Sequence, residues 1–104
     1  MAIFNTPLTT TPTSIFTNVS GNTAISTVHL CNYTGTTQIA NLWVVPNAAV
    51  VGSGTIIYSN VTITPYNTLI MSVEKIILST AGDAIVANCN TAGTITATVS
   101  TIGV

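Results

Sequence analysis

The chain has 104 residues, 47% of them hydrophobic and only 3% charged, and its formal net charge is -1. A single cation cannot grip a phosphate backbone, so nucleic acid is excluded as a partner, and a chain this apolar and this poor in charge is the opposite of a disordered one. About 100 residues make one domain with one core, and Thr, about a fifth of the chain, stands in for the missing charge as a polar surface suited to β-sheet.

Residues 1–13, MAIFNTPLTTTPT, carry Pro7, Pro12 and a run of Thr, which favour extended backbone over helix. Two readings stand: a frayed terminus, or an extended arm whose Ile3, Phe4 and Leu8 lie on a neighbouring subunit. No basic or long apolar targeting segment is visible here. The expectation is a protein made and kept in the cytosol until a larger object carries it out, or the mature form of a cleaved precursor. The most apolar stretch, Leu42–Gly52, is broken by Pro46 and Asn47 and falls short of the roughly 20 residues a bilayer span needs, so no membrane role is expected.

From Ser14 the chain reads as short strands separated by turns. Ser14–Val19 is the first, closed by Ser20-Gly21-Asn22. Ala24–Cys31 follows, with Val28 and Leu30 on one face and Ile25, Thr27, His29 and Cys31 on the other. Thr37–Val45 is apolar on both faces, Ile39, Trp43 and Val45 against Ala40, Leu42 and Val44. Such a strand lies between two packed layers or at a subunit contact. After the small-residue loop Pro46–Gly54, Thr55–Ile63 places Ile57, Val61 and Ile63 on a common face, and Thr68–Val73 points Leu69, Met71 and Val73 inward. The last third is a meander of Lys75–Leu78, Ala84–Asn90 and Thr94–Ser100. In it Ile85, Ala87 and Cys89 alternate with Ala84, Val86 and Asn88, then inward Ile95, Ala97 and Val99 with outward Thr94, Thr96, Thr98 and Ser100. Seven or eight strands at this spacing, with no helical stretch, predict an all-β, two-sheet antiparallel sandwich over 14–104, immunoglobulin-like or jelly-roll, with 1–13 as its arm.

Few residues here can carry chemistry. Cys31, Trp43 and Cys89 follow an immunoglobulin-like order, with Trp43 lying 12 residues after Cys31 and Cys89 lying 58 after it, but Ala87 stands where that pattern has Tyr. Strand parity points Cys89 into the core and Cys31 away from it, which favours two free thiols over a bridge. His29 and Cys31 sit two apart on one strand face with no third group to orient them, so they make no catalytic dyad. The single His, two Cys and two carboxylates are too few and too scattered for a metal centre. Asp83 suits a turn, and Glu74 and Lys75 point to opposite sides of a strand, where each can pair across an interface. The Asn-x-Ser/Thr triplets at Asn18, Asn32 and Asn60 are expected by chance in so Thr-rich a chain. Tyr33 and Tyr66, both in predicted turns, are the candidates for sugar stacking. No enzyme, cofactor or metal is expected.

The stretches IFTNVSGNTAISTVHLCNYTG, NLWVVPNAA, TIIYSNVTI and VEKIILSTAGDAIVANCNTAGTITATVS together resemble the small virion proteins of tailed bacteriophages, cyanophages in particular. The resemblance covers nearly the whole chain from Ile15 and implies a virion structural protein without catalytic residues, assembled in the host cytoplasm. Within a virion it implies a capsid decoration (cement) protein, commonly trimeric, which bridges subunits of the major capsid protein. The residues expected at such contacts are Ile3, Phe4 and Leu8 of the arm, Leu42, Trp43 and Val44 of the doubly apolar strand, and Glu74 and Lys75. The competing expectation is a tail, baseplate or fibre module that binds host-surface glycan.

Overall fold

The computed structural model describes residues 2–71 and 76–103. Its strands, in chain order, are β1 (Ala2–Pro7), β2 (Thr13–Thr17), β3 (Thr23–Asn32), β4 (Gln38–Val45), β5 (Ile56–Ile63), β6 (Thr68–Met71), β7 (Ile76–Leu78), β8 (Ala84–Cys89) and β9 (Ile95–Gly103). No helix occurs among the described residues. The strands form two antiparallel sheets that pack face to face, as the period-two alternation predicts. One has the order β1-β9-β3-β6, with β7 also on β3, and the other has the order β2-β8-β4-β5.

The pairings are nested. β1 pairs with β9, β2 with β8, and β4 with β5. β6 and β7 share one side of β3, against Val28–Cys31 and Thr23–Ile25. Counted together, these two leave one long hairpin, wound so that β9 also meets β3 and β8 also meets β4. That winding is a jelly roll, which decides between the two sandwich topologies expected.

The core lies between the sheets. Val28, Leu30, Ile95, Ala97 and Val99 face Ala40, Leu42, Ile85, Ala87 and Cys89, and Leu8, Ile15, Ile63 and Leu78 complete the cluster. Each of the larger aliphatic side chains contributes about 1.5–3 kcal/mol by leaving water. The predicted alternation of β8 and β9 is the observed one, with Ile85, Ala87, Ile95, Ala97 and Val99 all at 0% exposure.

Three local expectations are corrected. Residues 2–7 are not a free arm but a regular edge strand, paired with β9 from Ala2↔Thr101 to Pro7↔Thr96. Leu8 then turns into the core, its N–H donating to Ile95 O at 2.8 Å. Ile25 does not share the outer face with His29. An extra residue at Ser26, whose hydroxyl donates to Ser100 O at 3.0 Å, shifts the register and turns Ile25 inward at 1% exposure. Ile57 is 45% exposed, because β5 carries two register shifts that break its period and bring Tyr58 against the core instead.

Candidate interaction surfaces

Side chains at the predicted contact positions go to different places. Leu8 and Leu42 are wholly buried in the chain's own core, and Val44 packs half-buried against it. Trp43 lies on the outer face of its sheet, yet only 8% of it is exposed. Val45, Val86, Ile56 and Ala84 gather around it into a second, smaller cluster. Trp43 and Val45 on the second face of β4 are thus satisfied within the molecule, while Ile39 on the same face stays 37% exposed. Ile3 and Phe4 remain accessible, 65% and 40% exposed, at the free edge of β1. Glu74 and Lys75 lie outside the described residues.

Register fixes the outer face of the β1-β9-β3-β6 sheet row by row. One row reads Pro7, Thr96, Cys31, Thr68, the next Asn5, Thr98, His29, Ile70, and the next Ile3, Ser100, Thr27. A last row joins Ile102, Ala24 and Ile77. The described part of this face carries no Asp, Glu, Lys or Arg. It presents hydroxyls in the middle and exposed isoleucines toward the edges, Ile3 at 65%, Ile70 at 53% and Ile77 at 59%. His29 and Cys31 share this outer face as expected, with no carboxylate beside them in the rows.

Cys31 and Cys89 are both free. They stand on different sheets, Cys31 outward and Cys89 in the core with its thiol near Thr91 O at 3.0 Å. Among the described residues no group of three or more His, Cys, Asp or Glu is placed to hold a metal ion. Asp83, the one carboxylate described, is a latch between loops. Its Oδ1 accepts from Asn47 N–H at 2.8 Å and its Oδ2 from Thr80 N–H at 3.1 Å. These bonds, that from Asn47 foremost, hold its carboxyl below the ordinary value of 3.8. Gly82 beside it has φ +98° and lies close under the Asn47 side chain, so a side chain there meets both strain and a clash.

Two buried asparagines were not singled out from sequence as structural. Asn18, 2% exposed, donates to Gly21 O and Thr80 O and accepts from the Thr23 hydroxyl at 2.9 Å, tying the β2–β3 turn to the β7–β8 turn. Asn32, fully buried, donates to Thr36 O at 2.8 Å and Ile63 O at 3.0 Å and accepts from Thr34 N–H at 3.0 Å. Both amide nitrogens are committed inside the fold, so neither accepts a glycan in the folded protein. Asn60 is exposed, in the left-handed region at φ +50°. A third group spans the outer face of the β2-β8-β4-β5 sheet: Asn88 donates to Thr10 O, Asn41 to Asn88 Oδ1 at 3.0 Å, and Asn60 N–H to Asn41 Oδ1 at 2.8 Å.

At one end of the sandwich, Tyr33 donates its hydroxyl to Gly93 O and is 50% exposed. Tyr66, 74% exposed with φ +58°, lies over Gly35. Comparison of the chain with protein-family models, with curated proteins and with solved structures finds no match.

Proposed function

We propose that this protein is a virion structural subunit, a capsid decoration protein that stabilises a phage head by bridging major capsid subunits. One observation carries the reading: the hydroxyl-rich outer face of the β1-β9-β3-β6 sheet with its exposed Ile3, Ile70 and Ile77. A hydroxyl-rich face of this kind, without Asp, Glu, Lys or Arg among its described residues, has little to offer a small-molecule reaction and much to offer another protein surface. Apolar contact there yields about 25 cal/mol per Å² removed from water, and bridging several identical subunits multiplies individually modest contacts. The jelly roll supports the reading at the level of architecture alone, since this winding recurs in viral shells.

The test places a charge in the middle of the face and another at its rim. Thr98→Lys and Ile70→Lys keep the core intact and are expected to fold as the parent does, yet to wash off particles that retain the parent. Retention of both variants at parental levels contradicts the assignment of this face.

A second reading, a tail or fibre module for host-surface glycan, draws on Tyr66. An aromatic residue at positive φ is strained backbone, and here it carries a ring that is 74% exposed. Saturable binding on a glycan array, lost in Tyr66→Ala, favours that module over decoration.

A further inference from the structure

The four sheet edges of this sandwich are not alike. β2 is bulged between Ser14 and Phe16. β5 carries two register shifts and Asn60 at φ +50°. Along the edge that β6 and β7 share, the register against β3 is offset by two residues between Met71↔Val28 and Ile76↔Ile25. Bulges and breaks in register are devices that stop edges from pairing with other chains. β1 has none of them across its six paired residues: no bulge, no charge and no proline before Pro7. Such an edge is a template for another strand.

We infer that β1 pairs with β1 of a second copy of this chain, antiparallel about a two-fold axis at Phe4, joining two four-strand-wide sheets into one. The hydrogen-bonding register selects the axis. Leu8 N–H donates to Ile95 O, so by alternation Thr6 and Phe4 direct their backbone groups to β9, while Ile3 and Asn5 direct theirs to the open edge. Pairing Ile3 with Asn5 of the second copy, and Asn5 with its Ile3, uses all of those open N–H and C=O groups. Phe4 then meets its own symmetry mate in a non-hydrogen-bonded pair, with Cα atoms about 4.5 Å apart.

The side chains agree with that choice of partner. Phe4 points to the sandwich interior and packs on Phe16 at 5.1 Å between ring centroids. Beside it an open groove of about 380 Å³ is lined by Phe4, Ile15, Phe16 and Val19, with Ser14 and Thr17. Val19 is 83% exposed there. A second Phe4 brought to the axis lies alongside this groove and extends the aromatic contact. Nothing charged stands among the described residues of β1 or of the groove to repel an identical copy. A two-fold contact is self-complementary by construction, and it gives pairs where the resemblance to phage decoration proteins implies trimers. The inference does not depend on what the outer sheet face binds.

The test uses the full chain in sedimentation equilibrium together with thiol trapping. The parent is expected to show a reversible dimer. Ile3→Lys, which adds a charge beside the axis at an exposed position, is expected to halve the mass while leaving the circular dichroism spectrum unchanged. Phe4→Cys in a Cys31→Ser background is expected to form a disulfide-linked dimer under mild oxidation, because the two-fold pair falls within the Cα separation a disulfide spans. Ile3→Cys in the same background is expected not to, since its neighbour across the axis is Asn5. A parent that stays monomeric up to its solubility limit overturns the inference. So does an oligomer that neither Ile3→Lys disperses nor Phe4→Cys traps.

Discussion

Asn32 makes more hydrogen bonds than any other buried side chain among the described residues. Truncation to Ala leaves the carbonyls of Thr36 and Ile63 and the N–H of Thr34 without their buried partner, and each orphaned group costs about 1–3 kcal/mol. Asn32→Ala is therefore expected to lower unfolding free energy by about 2–4 kcal/mol, read as a lower urea midpoint at unchanged m. Gln38 is the opposite case: it is 5% exposed and its Oε1 has no partner. Gln38→Met keeps the volume and removes the unmatched oxygen, so a gain of about 1 kcal/mol is expected, and a loss of stability would show that the amide is held after all. Asp83 has its carboxyl lowered by the N–H groups of Asn47 and Thr80. Its contribution is present in full above the unfolded-state value of about 3.9 and is lost as pH falls through the lower folded value. Thermal melts from neutral pH down into that range should show a steeper acid loss for the parent than for Asp83→Asn.

Strands differ in how openly they declare themselves. β8 and β9 were legible because each alternates without interruption and each is central to its sheet, so periodicity and burial coincide. β3 and β5 were legible as strands but not as faces. A single extra residue inverts side-chain parity, and neither Ser26 nor the Ile57–Asn60 stretch differs in type from its neighbours. β1 reads as an arm because Pro7, Pro12 and the Thr run favour extended backbone while Ile3, Phe4 and Leu8 show no regular period, so nothing local tells that Ile3 goes to the outer face and Phe4 toward Phe16. The buried asparagines were hidden for a related reason: Asn is a turn residue by composition, and whether its turn is covered by a second turn is a long-range fact. Of the residues expected at interfaces, the accessible pair is Ile3 and Phe4, while Leu8, Leu42 and Trp43 were drawn inward by layers that sequence order does not reveal. This has an experimental consequence. Removing residues 1–13 strips Leu8 from the core and leaves β9 as a raw edge, so that truncation is expected to aggregate. Leu42→Ala should cost about 2–5 kcal/mol, whereas Ile3→Ala should lie within about 0.5 kcal/mol of the parent.

The molecule as a whole is a jelly roll finished in hydroxyls rather than charges. Among the described residues, three of its edges are bulged or broken in register, and the fourth is regular and left open. Buried Asn18 and Asn32 tie loops together through neutral amide hydrogen bonds rather than ion pairs. With a net charge of -1, little repulsion keeps copies or neighbours apart, and Ile3, Ile70 and Ile77 stand more than half exposed among the described residues. The proposed role follows from that economy of charge: the surface is suited to lying against other proteins in an assembly. Quantitative mass spectrometry of purified phage particles tests the claim most directly. The account predicts this chain in fixed, high proportion to the major shell protein, released together with loss of head stability. Absence from the particles, or a handful of copies confined to the tail, contradicts it.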